Sequence, residues 1–307
     1  MSLLPLFNKN RTGQYDAVVL DDQGVSVARL DNSGAQPQLI SADYQATAEE
    51  TPAALASLLK RQHLKSAPVT TLLAIGDYQL LLVEAPNVPQ DELKAAVRWQ
   101  VKDLIDFHID DAVVDVFDAP PSPSRAQQQL YVVVSRQETV RQLSEQLTGQ
   151  GLELAVIDIP ELALRNLAAL LPDADQGVAM LYLSARRGLI AVCRNGVLYL
   201  ARSIELGYQT LADGHDELLN TLALEVQRTL DYDDRYFQQA PVSQLLLMPT
   251  PVELPEFLPA IQGHLGLNTR AFPLRELLAV PDSVDDAILG HCALAIGAAL
   301  RREKKSL

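Results

Sequence analysis

The chain has 307 residues, of which 48% are hydrophobic, and its formal net charge at pH 7 is −14. This length and composition predict one large domain or two lobes with ample apolar core. The acidic balance argues against nucleic acid as a partner and against unaided adsorption to anionic lipid, because no surplus of lysine and arginine is present to neutralise phosphates. We also expect no signal peptide and no membrane span, since no apolar run approaches ~18 residues.

The first third of the chain alternates strand and turn signals. Residues 15–31 contain two alternating apolar runs around Asp21-Asp22-Gln23-Gly24, a pattern typical of a β-hairpin. A helix is predicted from Thr51, with Pro52 in its first turn. Further strands are expected around Gln38–Ile40, at Thr70–Ile75 and at Gln79–Val83.

The stretch Glu84–Asp118 holds the single tryptophan of the sequence on a predicted helix from about Gln90 to His108. At 100° per residue, Leu93, Val97, Val101 and Leu104 share one apolar stripe. Trp99 lies almost opposite that stripe, with Lys102, Asp103 and Asp106 around it and Phe107 at the helix end. Two interpretations stay open: Trp99 packs under its own module or against the main lobe, or it lines a groove between lobe and module that holds a partner peptide.

The remaining elements suggest an internal duplication. Residues 84–160 follow roughly a β-α-β-β-α-β order, which predicts a small α/β module. Residues 177–204 then contain two apolar runs around Ser184–Gly188 and a third after an Asn195-Gly196 turn, so they repeat the pattern of residues 15–31. Long helices are predicted at Asp213–Tyr236 and Asp285–Leu300, the second of them packed on most sides.

No catalytic constellation is convincing in this sequence. The five histidines are scattered, and none has metal-ligand spacing with another histidine or cysteine. Asp231, Asp233 and Asp234 could form a metal cluster, but their spacing favours a solvated helix end. We therefore predict no catalytic residues, no metal site and no enzymatic activity.

The chain resembles the PilM-type proteins of type IV pilus assembly, and within that family it looks most like the MshI-type members of the mannose-sensitive haemagglutinin (MSHA) pilus system. The segment from Val88-Pro89 through Trp99 to Phe107 is similar to the family's proline–helix–tryptophan–aromatic segment. Further matching segments are Gly151–Leu167, Leu224–Tyr232 and Ala293–Arg301. Together they span nearly the whole chain in order.

The resemblance implies an actin-like, FtsA-related fold with two α/β lobes, duplicated hairpins and an inserted module. On this basis the first lobe takes residues 1–83 and the return helix 158–176, and the inserted small subdomain takes 84–157. The second lobe takes 177–280, with 208–242 as its helical subdomain, and residues 281–307 return to the first lobe.

The resemblance also locates the residues that would hold a nucleotide. Actin-like ATPases bind phosphates with two hairpins that carry Asp-x-Gly turns, and a later Gly-Gly accommodates the adenine. Here Val19 and Asp21 replace the first Asp and Gly, Tyr182 and Ser184 replace the second pair, and Pro249 falls in the Gly-Gly region. We therefore predict that binding of ATP and magnesium is lost or very weak. An alternative is that Arg186-Arg187 recruits an anion.

The function implied by the resemblance is a cytoplasmic scaffold of the pilus assembly platform, held at the inner membrane through its partners. Its partner would be the N-terminal cytoplasmic peptide of a PilN-type bitopic inner-membrane protein, bound near Trp99, Lys102, Asp103, Asp106 and Phe107. The assembly ATPase and a second copy of the chain are further candidate partners. The chain's own Ser2-Leu3-Leu4-Pro5 is similar to the core of that peptide, so it either occupies such a groove or forms a frayed tail.

Two alternative functions share the same fold. One is the cytoplasmic part of a GspL-type type II secretion protein, which normally continues into a membrane span, whereas this sequence ends at Leu307 after a basic tail. The other is an actin-like ATP-binding protein with residual nucleotide binding.

Overall fold

The computed structural model describes residues 14–34, 36–47, 51–64, 68–123, 127–172, 177–212, 216–254 and 257–302. The strands within these residues are β1 Gln14–Leu20, β2 Gly24–Asp31, β3 Gln38–Ala46, β4 Pro68–Leu72, β5 Tyr78–Glu84, β6 Ala112–Asp118, β7 Gln129–Arg136, β8 Glu153–Asp158, β9 Val178–Leu183, β10 Gly188–Arg194, β11 Val197–Ile204, β12 Gln244–Leu247 and β13 Asn268–Ala271. The α-helices are α1 Thr51–Arg61, α2 Leu93–Val101, α3 Gln137–Thr148, α4 Pro160–Ala168, α5 Tyr208–Ala212, α6 Asp216–Phe237, α7 Phe257–Leu265, α8 Leu274–Leu277 and α9 Asp286–Ala299. The N-terminal leucine segment and residues 303–307 of the C-terminal tail lie outside the described residues.

Two five-stranded sheets have the same topology, and each forms one lobe. The first has the order β3-β2-β1-β4-β8 and the second the order β11-β10-β9-β12-β13. In both, the first three strands of the lobe pair antiparallel, and the last two add in parallel. The predicted duplication is thus confirmed at the level of strand pairing.

The core between the two sheets is built by exchanged helices. Helix α4 follows a strand of the first sheet but packs on β9, β10 and β11 of the second, whereas α9 comes from the second lobe and packs on β1 to β4. The two helices also pack on each other, and a β-carbon at Gly297 would lie 2.5 Å from the carbonyl oxygen of Ala163. Glycine is therefore required there for the close approach of the two backbones. As predicted, α9 is buried on nearly all sides.

The inserted module is a three-stranded sheet in the order β5-β7-β6 with α2 on one face. Alternation along β7 separates the two faces. Leu130, Val132 and Val134 pack against α2, whereas Val133 packs towards the central core and Tyr131 is buried on the same face.

The module touches the second lobe through that inner face. The Tyr131 hydroxyl donates a hydrogen bond to the Tyr199 carbonyl at 2.6 Å, and Ser122 donates to the carbonyl of Tyr236 at 2.6 Å. The Tyr236 hydroxyl also donates to the side chain of Gln129. The insertion thus contacts both lobes and not only the lobe that carries it in sequence.

Strand pairing shifts two of the predicted domain boundaries. Residues 78–84 pair with β7 and so belong to the module, although the boundary was expected at residue 84. Residues 153–158 pair with β4 in the first sheet, although the module was expected to extend to residue 157. Pairing partners are distant in sequence, so local patterns locate such strands without assigning them to a sheet.

The prediction that Asp231, Asp233 and Asp234 form a solvated helix end is wrong for Asp233. Asp233 is buried and forms a bidentate ion pair with Arg194, at 3.1 Å and 2.6 Å, and the Arg194 guanidinium also lies over the Tyr199 ring. Asp234 is exposed, as expected. The ion pair fixes α6 to β10, so Asp233 has a structural role.

Candidate functional site

A cleft of about 650 Å³ lies between the two lobes and the module. Its walls are formed by the turns of the two lobe hairpins, the end of β4, the beginning of α4 and one side of α3. The predicted nucleotide-site residues of both hairpins line this cleft, namely Val19, Asp21, Tyr182 and Ser184, and Ser26 of β2 lines it too. The structure therefore brings these positions together, as the resemblance implied.

Asp21 organises the turn of the first hairpin. One of its carboxylate oxygens accepts hydrogen bonds from the backbone N–H groups of Gln23 and Gly24, both at 2.8 Å. Enclosure by the cleft walls raises the pKa of Asp21, the two backbone donors oppose that effect, and the neighbouring Asp22 adds to it. The carboxylate is thus committed to its own turn, at a position where a glycine would let the backbone approach a phosphate.

The second hairpin presents a tyrosine and a closed turn to the cleft. Burial raises the pKa of Tyr182 well above its usual range, so this side chain is a neutral aromatic group where an aspartate would position magnesium. The backbone N–H of Ser184 donates to the Arg187 carbonyl at 2.7 Å, and the Ser184 hydroxyl accepts from the Arg187 N–H at 3.1 Å. The serine therefore holds the turn by its side chain.

The third predicted nucleotide element does not face the cleft. Among the described residues that line the cleft, Pro249 is not included. The adjacent segment packs closely against α9 instead. A β-carbon built on Gly290 of α9 would lie 2.3 Å from backbone atoms of Thr250 and Pro251. The segment that follows Pro249 is therefore in close backbone contact with α9.

The charges around the cleft are also unfavourable for a nucleotide that carries no metal. Its lining includes four carboxylates, Asp21, Asp22, Asp77 and Glu205, against the two guanidinium groups of Arg186 and Arg187. Both arginines already face acidic partners, with Arg186 at 3.7 Å from Asp22 and Arg187 at 3.3 Å from Glu205. Carboxylates close to a triphosphate are unfavourable unless a metal separates the charges.

Two buried acids next to Pro160, a residue that lines the cleft, were not singled out from the sequence. Glu161, in the first turn of α4, accepts a hydrogen bond from the Tyr78 hydroxyl at 2.5 Å. Burial raises the pKa of Glu161 to about 7, while the Tyr78 hydrogen bond opposes that effect. Asp158 pairs with Arg301 at 2.5 Å, and its burial raises the pKa of its carboxyl. No local sequence signal reveals this network, because its members are joined only by the fold.

Trp99 lies on the outer surface of the module. It is 72% exposed, the most exposed large hydrophobic side chain among the described residues. Leu93, Val97 and Val101 are buried against the module sheet, as predicted, and Trp99 projects from the opposite side of α2. The inner face of the sheet is the one that contacts the lobes. The structure thus supports neither the packed position of Trp99 nor its place in a groove between lobe and module.

The predicted helix end is also different. Helix α2 stops at Val101, so Leu104 leaves the apolar stripe and is 57% exposed. Acidic residues such as Asp103 are unfavourable near the negative end of a helix dipole, and aspartate is a weak helix former. Arg98 fixes the chain after the helix by donating to the carbonyls of Ile109, at 2.5 Å, and Ala112, at 2.9 Å.

The other predicted partner-binding residues form two separate groups. The Lys102 ammonium lies 5.4 Å from the centroid of the Trp99 ring. Asp106 and Phe107 instead gather around Arg136, which lies 3.6 Å from Asp106 and stacks over the Phe107 ring at 4.3 Å. Asp103 follows Lys102 in the chain and is exposed. Outside the cleft, Trp99 with Lys102 is therefore the exposed feature best suited to contact a partner.

Comparison with known proteins adds a family resemblance. Residues 79–220 match the model of the family described as type IV pilus assembly protein PilM. This range covers the module except for Tyr78, then β8 and α4, and ends near the beginning of α6 in the second lobe. None of the curated proteins matches the chain in sequence.

Solved structures show the fold. A chain of the PilM-PilN type IV pilus biogenesis complex is similar over 93% of this chain and 97% of its own length, with a TM-score of 0.76 and 22% identity. The cytoplasmic domain of EpsL, an inner membrane component of the type II secretion system of Vibrio cholerae, covers 76% and 81%, with a TM-score of 0.50 and 16% identity. A Bacteroides thetaiotaomicron protein of unknown function with an actin-like ATPase fold covers 85% and 91%, with a TM-score of 0.50 and 12% identity.

These likenesses confirm the predicted actin-like fold. None of the helices in the described ranges has both the length and the apolar character that a membrane crossing requires. The chain therefore has an actin-like fold and carries, over residues 79–220, the sequence pattern of the PilM-type proteins of type IV pilus assembly.

Proposed function

We propose that the protein is a non-enzymatic scaffold of a type IV pilus assembly platform, of the MSHA type, that binds the N-terminal cytoplasmic peptide of a PilN-type inner-membrane protein. The observation that carries this proposal is the PilM family match over the module, together with a fold likeness to a chain of a PilM-PilN complex along almost its full length. The scaffold would act in the cytoplasm and be held at the inner membrane by that partner.

The outer face of α2 is the surface we assign to the peptide. Trp99 offers a large aromatic face for leucine-type anchors, and tryptophan is enriched among the residues that dominate binding energy. Lys102 lies near the Trp99 ring and is followed by the exposed Asp103, so these two opposite charges would orient the peptide without large net attraction.

We further propose that the scaffold works without nucleotide. Tyr182 replaces a magnesium-positioning carboxylate, Asp21 is committed to its own turn, and the region of Pro249 packs against α9. An ATPase mechanism has no carboxylate placed for metal and water on the second hairpin. Function would then depend on binding surfaces and not on catalysis.

The likeness to the EpsL cytoplasmic domain favours one other candidate, a role in a type II secretion assembly. That likeness is weaker in TM-score and coverage than the likeness to the PilM-PilN complex. The two candidates differ in the partner they require, so partner identity separates them.

A pull-down with immobilised protein tests the proposal. The probes are synthetic N-terminal cytoplasmic peptides of the PilN-type protein and of type II secretion inner-membrane proteins from the same organism. We expect retention of the PilN-type peptide and its loss with Trp99→Ala. Retention of a type II secretion peptide alone would favour the second candidate, and retention of neither peptide would contradict both.

A further inference from the structure

Arg187 of the second lobe reaches across the mouth of the cleft. It lies in the turn between β9 and β10, and its Nη1 donates a hydrogen bond to the carbonyl of Ile75 at 2.5 Å. Ile75 belongs to the connection between β4 of the first lobe and β5 of the module. One guanidinium therefore joins the second lobe to the junction of the other two parts.

The receiving turn is shaped to admit this guanidinium. Gly76 has a φ of +102°, and a β-carbon built on it would lie 1.8 Å from Nη1 of Arg187. Any side chain at this position would displace the arginine. Burial raises the pKa of the next residue, Asp77, and the charge of Arg187 opposes part of that increase. Backbone conformation and electrostatics of the turn are thus both adapted to the arginine.

The donating turn is equally constrained. Ser184 closes it through its backbone N–H and its hydroxyl, both bonded to Arg187 backbone groups. A carboxylate oxygen of Glu205 lies 3.3 Å from Nε of Arg187 and orients the guanidinium. Because these contacts fix the backbone and the head group, little rotamer freedom remains to be lost when the cleft closes.

Two neighbouring contacts also connect the second lobe with the other side of the cleft. Arg186 lies 3.7 Å from Asp22, and Gln209 of α5 donates to Gln23 at 3.4 Å. Asp22 and Gln23 belong to the turn of the first hairpin. Each of these two contacts, like that of Arg187, has one partner in the second lobe and one across the cleft, so protein groups bridge the cleft at three points.

We propose that Arg187 is a built-in closure device, which holds the two lobes together at the cleft mouth without a bound ligand. In hinged two-lobed proteins a ligand commonly bridges the lobes and so selects the closed state. Here a charge-assisted hydrogen bond to a backbone carbonyl supplies that bridge. The Arg187 side chain is 41% exposed, so water competes for it, and we expect its removal to raise the opening equilibrium of the cleft by roughly tenfold at most.

Hydrogen–deuterium exchange of the full chain tests the proposal. The variants are Arg187→Ala, Arg187→Lys and a matched control, Arg275→Ala. Arg275 also donates to a carbonyl, that of Val284 at 2.7 Å, and to a carboxylate, that of Asp286 at 2.8 Å, and its side chain is 43% exposed. Both partners lie close to α8 in sequence, Val284 in the connection between α8 and α9 and Asp286 at the beginning of α9, away from the cleft.

The expected result is faster exchange, by up to about tenfold, in peptides covering Leu72–Ile75 and the start of α4 in Arg187→Ala, with the centres of both sheets unchanged. Arg187→Lys should show a smaller effect of the same pattern and serves as the test if the alanine variant does not fold. Unchanged exchange at the cleft would overturn the proposal. Uniformly faster exchange throughout the core would overturn it too, because Arg187 would then support overall stability and not closure.

Discussion

Replacing Trp99 with alanine should remove most of the affinity for the partner peptide. A tryptophan buries up to about 250 Å² in a contact, and the 72% that is exposed here leaves roughly 180 Å² available to a partner. At about 25 cal/mol per Å² this area corresponds to a gross contribution of about 4.5 kcal/mol. Coverage is incomplete, and ordering of the peptide and of Lys102 opposes binding, so we expect a net loss of about 2–3 kcal/mol.

That loss corresponds to a dissociation constant roughly 30- to 150-fold weaker. Isothermal titration calorimetry with the PilN-type N-terminal peptide measures it directly. The matched control is Leu224→Ala, which removes a 50% exposed apolar side chain from α6 in the second lobe and should leave the affinity unchanged. Because Trp99 packs against no core cluster, the melting temperature of the tryptophan variant should stay within about 2 °C of the parent protein.

An unchanged dissociation constant in Trp99→Ala, with the protein still folded, would refute the assignment of the peptide to the outer face of α2. An equal loss in Leu224→Ala would refute it as well, since exposed apolar area in general would then explain binding.

Three further predictions concern the pH dependence, the buried ion pair and the cleft. Because the pKa of Glu161 is raised in the folded state, that state keeps a proton that the unfolded state has lost between about pH 4.5 and 7, and stability falls as pH rises through that window. In thermal melts, Glu161→Gln should remove up to about 3 kcal/mol of this pH dependence. An equally steep pH dependence in the variant would contradict the prediction. Asp233→Ala leaves Arg194 buried without its carboxylate partner and should lower the free energy of unfolding in urea by about 3–5 kcal/mol. Asp234→Ala should lower it by less than about 0.5 kcal/mol. Similarly small effects of both substitutions would show that Asp233 has no structural role. Calorimetric titration with ATP and magnesium up to millimolar concentration should give no saturable heat, and a saturable magnesium-dependent signal would contradict the proposed loss of nucleotide binding.

Much of the fold is predictable because its signals are local. The Asn195-Gly196 turn has φ of 51° and 71°, the left-handed conformations that such a hairpin needs, and the flanking strands fall where alternation predicts them. The apolar stripe of α2 is likewise correct at Leu93, Val97 and Val101. Periodicity extends only as far as the helix does, however, so it failed at Leu104.

The features that sequence reasoning missed depend on contacts between distant residues. Asp233 is buried because Arg194, far away in sequence, faces it across the second lobe. From the sequence, Arg187 is an ordinary solvated turn residue; its hydrogen bond to the carbonyl of Ile75, a residue distant in sequence, is visible only in the fold. The position of Trp99 opposite the apolar stripe was predicted, but only the fold shows that the lobes contact the other face of the module and leave Trp99 exposed. Pattern arguments assign a side chain to a face of its element, but the fold determines what covers that face.

The central prediction for this protein is nucleotide-independent binding of the partner peptide. Calorimetry of the unmodified protein with the PilN-type N-terminal peptide, without nucleotide and again with magnesium and ATP, measures this in one experiment. We predict saturable one-to-one binding with the same dissociation constant in both conditions. Binding only in the presence of ATP, or no binding in either condition, would contradict the account.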